Sequence, residues 1–402
     1  MSRSVRLLSA VSLRRFQAQF LFYGVLCGVL ALASQRSWGG VIRTDDSDLS
    51  SGQNQSFRDR GVPRARASRE LRPDRIETEA LPQRLVIQVV RETSKGLEPV
   101  PGLRLALGSG GGGSLPGIFP GRTDESGEAS WPEVCSAVSG AGAKVRVRAV
   151  LAHPQFSISS PGFGAQPYEF LAEVSCEGRA RLILRGDSDS GQALGIWQVA
   201  WKAQAKIAAS VGLGFWTRPV MFSWPSDGDY YTGGVVHLTR GDHWDVVGHE
   251  MGHAIFDLGR LGVMAGGQHK IDECYTEALA LSEGWASFFS AFVSLSRDDP
   301  DARFEFLVPR RAPIRIENVP ADVCAGESNE WRVAAFFWDL LDTHADGETL
   351  ERSFEELWRP LEGGLVGSSS QAVRRLVNQG VVSQDQAALV WRLNFLLSSN
   401  PD

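Results

Sequence analysis

The stretch WDVVGHEMGHAIFDLG, Trp244 to Gly259, places two histidines four residues apart with a glutamate directly after the first. A helix repeats every 3.6 residues, so His249 and His253 project from one face a turn apart and can share a cation. Glu250 lies beside them, placed to take a proton from an activated water rather than to bind the cation. Two desolvated imidazoles flanking a carboxylate would be costly without a cation, which argues against a purely hydrogen-bonded core role. A catalytic zinc takes three protein ligands and keeps one position open, so a third ligand is needed. Downstream, ECYTEALALSEGWASFFSAF offers Glu277 and Glu283 on one predicted helix, pointing in different directions. Glu283 shares its face with Thr276, Ala280, Ser287 and Ser290, whose small side chains let the two helices approach closely, and is the favoured ligand. Charge developing on a substrate oxygen needs a further donor, for which Tyr230, Tyr231, Tyr275 and His344 are candidates by residue type.

The elements that must position these groups are legible as patterns. Asp242 is expected to cap the histidine helix, Val246, Val247, Ala254, Ile255 and Leu258 to form its apolar stripe, and Gly259 to end it. SGQALGIWQVAWKAQAKIAASVG reads as a helix stopped by Gly212, and SNEWRVAAFFWDLLDTH as a core helix behind the site. SQDQAALVWRLNFLL adds another, with Ser383 and Gln386 as a capping box. Before these, RLVIQVV (84–90) opens a run of short β-rich pieces. Among them Val145, Val147 and Val150, spaced by Arg146 and Arg148, suit strands with one buried face. The glycine tract 108–117 reads as a loop; neither a helix pattern nor a following Lys-Ser/Thr supports a phosphate cradle.

At 402 residues, 43% apolar and 22% charged, the chain is long enough for two cores, and its net charge of -6 gives no broad cationic field for nucleic acid. The N-terminus carries Arg3, Arg6, Arg14 and Arg15, then FLFYGVLCGVLALAS and a small-x-small site at Ala31 to Ala33. This pattern is that of a secretory signal peptide over 1–33, implying a secreted, periplasmic or cell-surface protein with no stable membrane partner once the segment is removed. Residues 34–82 are polar and arginine-rich and read as a disordered linker or pro-segment. A β-sandwich is expected over 83–187 and a mostly helical α+β domain over 188–402. Removing the signal leaves Cys135, Cys176, Cys274 and Cys324, expected to pair 135–176 and 274–324 within those domains.

Two resemblances sharpen these expectations. HEMGH followed by SEGWA resembles the gluzincin metallopeptidases, such as the thermolysin and fungalysin families, over roughly residues 220–343. It implies a zincin-like domain with His249, His253 and Glu283 holding Zn2+ and Glu250 as general base, acting on a peptide or protein substrate. VVHLTR before the site resembles the edge strand along which such enzymes lay an extended substrate. Many members carry an acidic residue four after the ligand glutamate; here that position is Ser287, leaving the orientation of the ligand histidines unassigned. Asp245 and Asp257 could serve, although both read more simply as surface residues. GRTDESGEASW resembles a hairpin of transthyretin-like, carboxypeptidase-regulatory-like modules, implying an immunoglobulin-like sandwich for the first domain. The competing readings are a non-catalytic exported binding protein with a structural zinc site, and a zinc hydrolase of a non-peptide amide or ester.

Overall fold

The computed structural model describes residues 70–79, 84–110, 117–132, 134, 144–162, 164–176, 178–345 and 347–396. The expected signal segment 1–33, most of the glycine tract and Cys135 lie outside them, and with Cys135 the expected 135–176 pairing. The described residues combine β-sheets with seven helices in a mixed α/β architecture, all within one compact unit, Trp38–Asp402.

A five-stranded sheet runs in the order β1 (Glu70–Leu71), β10 (Glu169–Ser175), β8 (Lys144–Val150), β5 (Arg104–Ser109) and β6 (Phe119–Arg122). A second runs β2 (Arg75–Glu79), β11 (Gly178–Arg185), β3 (Leu85–Thr93) and β4 (Gly96–Pro99), with β7 (Glu128–Trp131) also on β3. Period-two alternation puts Val145, Val147 and Ala149 of β8 into the core beside Phe170, Ala172 and Val174 of β10. Val150, expected among the inward residues, falls on the other parity and is only half-buried.

Order begins earlier than Arg84. All five residues of β2 are exposed, so no apolar pattern marks it; antiparallel pairing with β11 holds it in place. Asp74, just before it, accepts hydrogen bonds from the Arg185 backbone N–H and the Ser188 hydroxyl at 2.8 and 2.7 Å. The strands flanking TDESGEA also differ from the expected hairpin: β6 pairs with β5 and β7 with β3, in different sheets. A tight turn joins them, with Asp124 Oδ1 accepting from the backbone of Ser126 and Glu128 at 2.9 and 3.0 Å. Gly127 has φ +74, and a Cβ there would lie 2.5 Å from the Val89 carbonyl.

The third sheet, β13 (Tyr230–Thr232), β14 (Val235–His237), β12 (Val220–Ser223) and β9 (Phe156–Ser159), draws one strand from before residue 187 and three from after it. Gly233 and Gly234, at φ 59 and 86, form a two-residue turn that folds β13 back onto β14. The edge expected at VVHLTR is therefore taken by β13, and β14 is interior. β15 (Arg303–Phe304) and β16 (Ile314–Arg315) form a small ladder.

The helices are α1 (Asp189–Ser210), α2 (Trp244–Gly259), α3 (Glu277–Ser294), α4 (Glu330–Leu341), α5 (Phe354–Trp358), α6 (Ser369–Asn378) and α7 (Gln384–Phe395). α1 begins at an Ser188 cap and is followed by Gly212 at φ +78, and α7 carries the expected Ser383–Gln386 capping box. The helix α2 ends at Gly259, as expected, but its start differs from expectation. Its N-cap position is His243, because the Asp242 carboxylate is drawn away by Arg240 at 2.6 Å. Beyond Gly259, Arg260 takes the left-handed conformation at φ 50. No helix among the described residues is long and apolar enough to cross a membrane.

Candidate metal centre

Close approach of α2 and α3 is what brings the candidate ligands together. A Cβ on Gly252 would sit 2.8 Å from the Ala286 Cα, and one on Gly248 would sit 2.4 Å from the Ser290 hydroxyl oxygen. The Ser290 hydroxyl donates to the Asp245 carbonyl at 2.8 Å, locking the two helices across this seam. Of the small face expected on α3, Ser290 meets Gly248, while Gly252 lies against Ala286, outside that expected set.

At the seam, His249 Nε2 and His253 Nε2 converge on the same Glu283 oxygen, Oε2, at 3.2 and 3.0 Å. The imidazole rings stand 4.9 Å apart at 88°. Ligand atoms of His249, His253 and Glu283 all lie within 4.8 Å of one another, so the three could hold one metal ion. Glu277, at the exposed start of α3, takes no part.

The remaining ring nitrogen of His249, Nδ1, lies 3.0 Å from the Ser287 hydroxyl oxygen. Ser287, at the position expected to be acidic, therefore fixes the ring of the candidate ligand His249. His253 has no matching support: its Nδ1 is buried without a hydrogen-bond partner. Neither aspartate considered for that role supplies it. Asp245 is fully buried rather than superficial and spends its carboxylate on the backbone N–H groups of Glu305, Phe306 and Leu307 at 2.7, 2.7 and 3.2 Å. Asp257 accepts from the Tyr231 hydroxyl at 2.6 Å and from Arg218 at 2.9 Å.

Glu250 is 1% exposed, and neither of its carboxylate oxygens has a hydrogen-bond partner. Burial, then the nearby Asp229 and Glu283, push its carboxyl well above the usual range. Burial also opposes ionisation of Glu283, but His253, His269 and His249 outweigh it and hold Glu283 well below that range. Burial lowers His249.

His269 and Glu330 join the site without having been marked by any sequence pattern. His269 Nε2 lies 3.6 Å from Glu283 Oε1, and His269 Nδ1 lies 2.6 Å from Glu330 Oε2 at the start of α4. Burial disfavours the imidazolium, yet Glu330 and Glu283 outweigh it and push His269 up to about 10. Its loop is fixed from two sides. The Cys274–Cys324 disulfide forms as expected, and Asn329, the α4 cap, donates to the carbonyls of Ile271 and Glu273 at 2.9 Å each.

Of the expected oxyanion donors, Tyr231 is committed to Asp257, and Tyr275 donates to Glu273 at 3.1 Å while its ring meets His269 edge-on at 6.3 Å. Tyr230 stacks on His237 at 4.3 Å, and His344 sits apart with Glu317 and Asp342. A cleft of about 840 Å³ is lined by residues including Arg91, Lys95, Trp201, Lys206 and Trp244, and by none of the tripod.

No family model matches the chain, and no curated protein does. Among solved structures, the crystal structure of a proposed carbohydrate-binding protein from Pseudomonas aeruginosa covers 27% of this chain and 91% of its own, at 10% identity and a TM-score of 0.16. Likeness at that level bears on neither fold nor function.

Proposed function

We propose that the chain is an exported zinc hydrolase of peptide bonds, in which His249, His253 and Glu283 hold the ion and Glu250 is the general base. The observation that carries the reading is the pairing of a tripod converging on one point with a neighbouring glutamate whose two oxygens are buried and unpartnered. Two imidazoles and one carboxylate suit Zn2+, and three ligands match an open catalytic site better than a closed structural one. Bound there, zinc would polarise the scissile carbonyl and bring the pKa of a water down to about 7.

The chain's own groups supply the rest. Glu250 takes the proton of the attacking water and returns it to the leaving amine. Ser287 fixes the ring of His249, and the Glu330–His269 ion pair places positive charge 3.6 Å from Oε1 of Glu283. An extended substrate would add to the sheet at β13, its edge beside α2, rather than at β14. The two sheets of residues 70–185 are read as an immunoglobulin-like sandwich, supporting recognition rather than chemistry. Export rests on the arginine-rich, apolar N-terminus.

One observation favours a structural zinc site in a binding protein: His249, Glu250, His253 and Glu283 are only 1–3% exposed. A structural site has no use for a base at Glu250, which separates the readings. The test is zinc content and cleavage of a mixed peptide library by the full chain and its Glu250→Gln variant. The hydrolase reading expects equal zinc and a loss of about 10²–10⁴ in rate for the variant. Equal zinc with no cleavage by either protein would favour the structural reading, and cleavage of amides or esters but not peptides would move the substrate class.

A further inference from the structure

We propose a second divalent-cation site, formed by Glu317, Asp342 and His344, that ties the chain leaving α4 to the segment leaving β16. Ligand atoms of the three residues lie within 4.8 Å of one another. Two carboxylate oxygens and one imidazole nitrogen this close can share one cation at the roughly 2.0–2.2 Å of zinc–nitrogen and zinc–oxygen bonds once they draw in by a few tenths of an ångström.

The second observation is a set of polar atoms that protein groups leave unsatisfied. Asp342 is 1% exposed, and its Oδ1 is buried with no hydrogen-bond partner, as is Nδ1 of His344. An orphaned buried carboxylate oxygen is expensive, and such atoms call for a ligand. The other Asp342 oxygen accepts the His344 backbone N–H at 3.1 Å, which brings the histidine back over the carboxylate. Glu317 is held by the Trp338 indole N–H at 2.6 Å, so two of the ligands are set by α4 itself. Glu348, 2% exposed, adds a third acid to the same neighbourhood. Asp342 and Glu317 lie close enough for a side-chain hydrogen bond between their carboxyl groups, so without a cation the two must share a proton.

Two carboxylates with one imidazole favour Zn2+ or Mn2+ over Ca2+ or Mg2+, whose sites are built from oxygen alone. The ion would act structurally, clamping His344 and Glu317 to the C-terminal end of α4. This inference is independent of the tripod and of its proposed chemistry.

The experiment uses the full chain, stripped with a chelator, titrated with Zn2+ or Mn2+ alone and assayed for bound metal per chain. Each of Asp342→Asn and His344→Ala is expected to lose one equivalent relative to wild type, in the Glu283→Ala background as well as alone. Because His344 is only half-buried, its variant serves if Asp342→Asn fails to fold. If Glu283→Ala binds as much as wild type while His344→Ala loses one equivalent, this site stands and the tripod reading fails. Metal content unchanged in a folded Asp342→Asn or His344→Ala protein overturns the proposal.

Discussion

The Ser287 hydroxyl lies 3.0 Å from Nδ1 of His249, which fixes the ring whose other nitrogen faces Glu283. Both residues are buried, so the contact is shielded from bulk solvent. Ser287→Ala should weaken zinc binding about 10–100-fold, the usual effect of removing a group that orients a ligand histidine. Competition with a chromogenic chelator measures it, and affinity equal to wild type would show that Ser287 only packs.

The glycine seam makes a stability prediction. A methyl group at Gly252 would meet backbone atoms of Ala286, which cannot rotate away. Gly252→Ala should cost about 1–3 kcal/mol in urea unfolding and lower zinc affinity as α2 and α3 move apart. An unchanged midpoint would mean that the helices have slack at this crossing.

The Cys274–Cys324 bond closes a loop with a sequence separation of 50. Chain entropy assigns such a closure about 4 kcal/mol. Replacing both cysteines by serine should lower stability by up to that amount. It should also loosen the loop carrying His269, read as faster amide exchange around residues 269–275.

A pH dependence follows from His153, whose ring lies among Phe156, Trp197 and Trp201 at 5.0, 6.5 and 5.6 Å. Burial, then Arg104 and Arg122, bring its pKa down from 6.5 to about 4 in the folded chain. Between those values the unfolded chain binds the extra proton, so stability falls with acidification. The contribution is fully present above about pH 6.5 and is lost by about pH 4. His153→Phe should flatten the melting temperature across that window; an equal slope in both proteins would assign the dependence elsewhere.

What could be read from residue order was whatever has a period. Helical spacing marked His249, His253 and Glu283, and the small residues of α3 pointed to the close crossing that joins them. The glycines of α2 lie outside its apolar stripe, so hydrophobic periodicity does not mark them. His269 carries no signal because its place depends on a loop fixed by Asn329 and, through Cys274, by Cys324, both remote in sequence. β2 escaped notice because an exposed edge strand is held by backbone pairing rather than by burial. The misjudged start of α2 has a similar cause: Asp242 fits a cap by type, but Arg240, two residues away, competes for its carboxylate.

The most direct measurement is anomalous diffraction at the zinc edge from crystals of the full chain. The account requires one peak at about 2.0–2.2 Å from His249 Nε2, His253 Nε2 and a Glu283 oxygen, with a solvent molecule in the fourth position beside Glu250. A peak closed by four protein ligands would make the site structural, and no peak at the tripod would contradict the central claim.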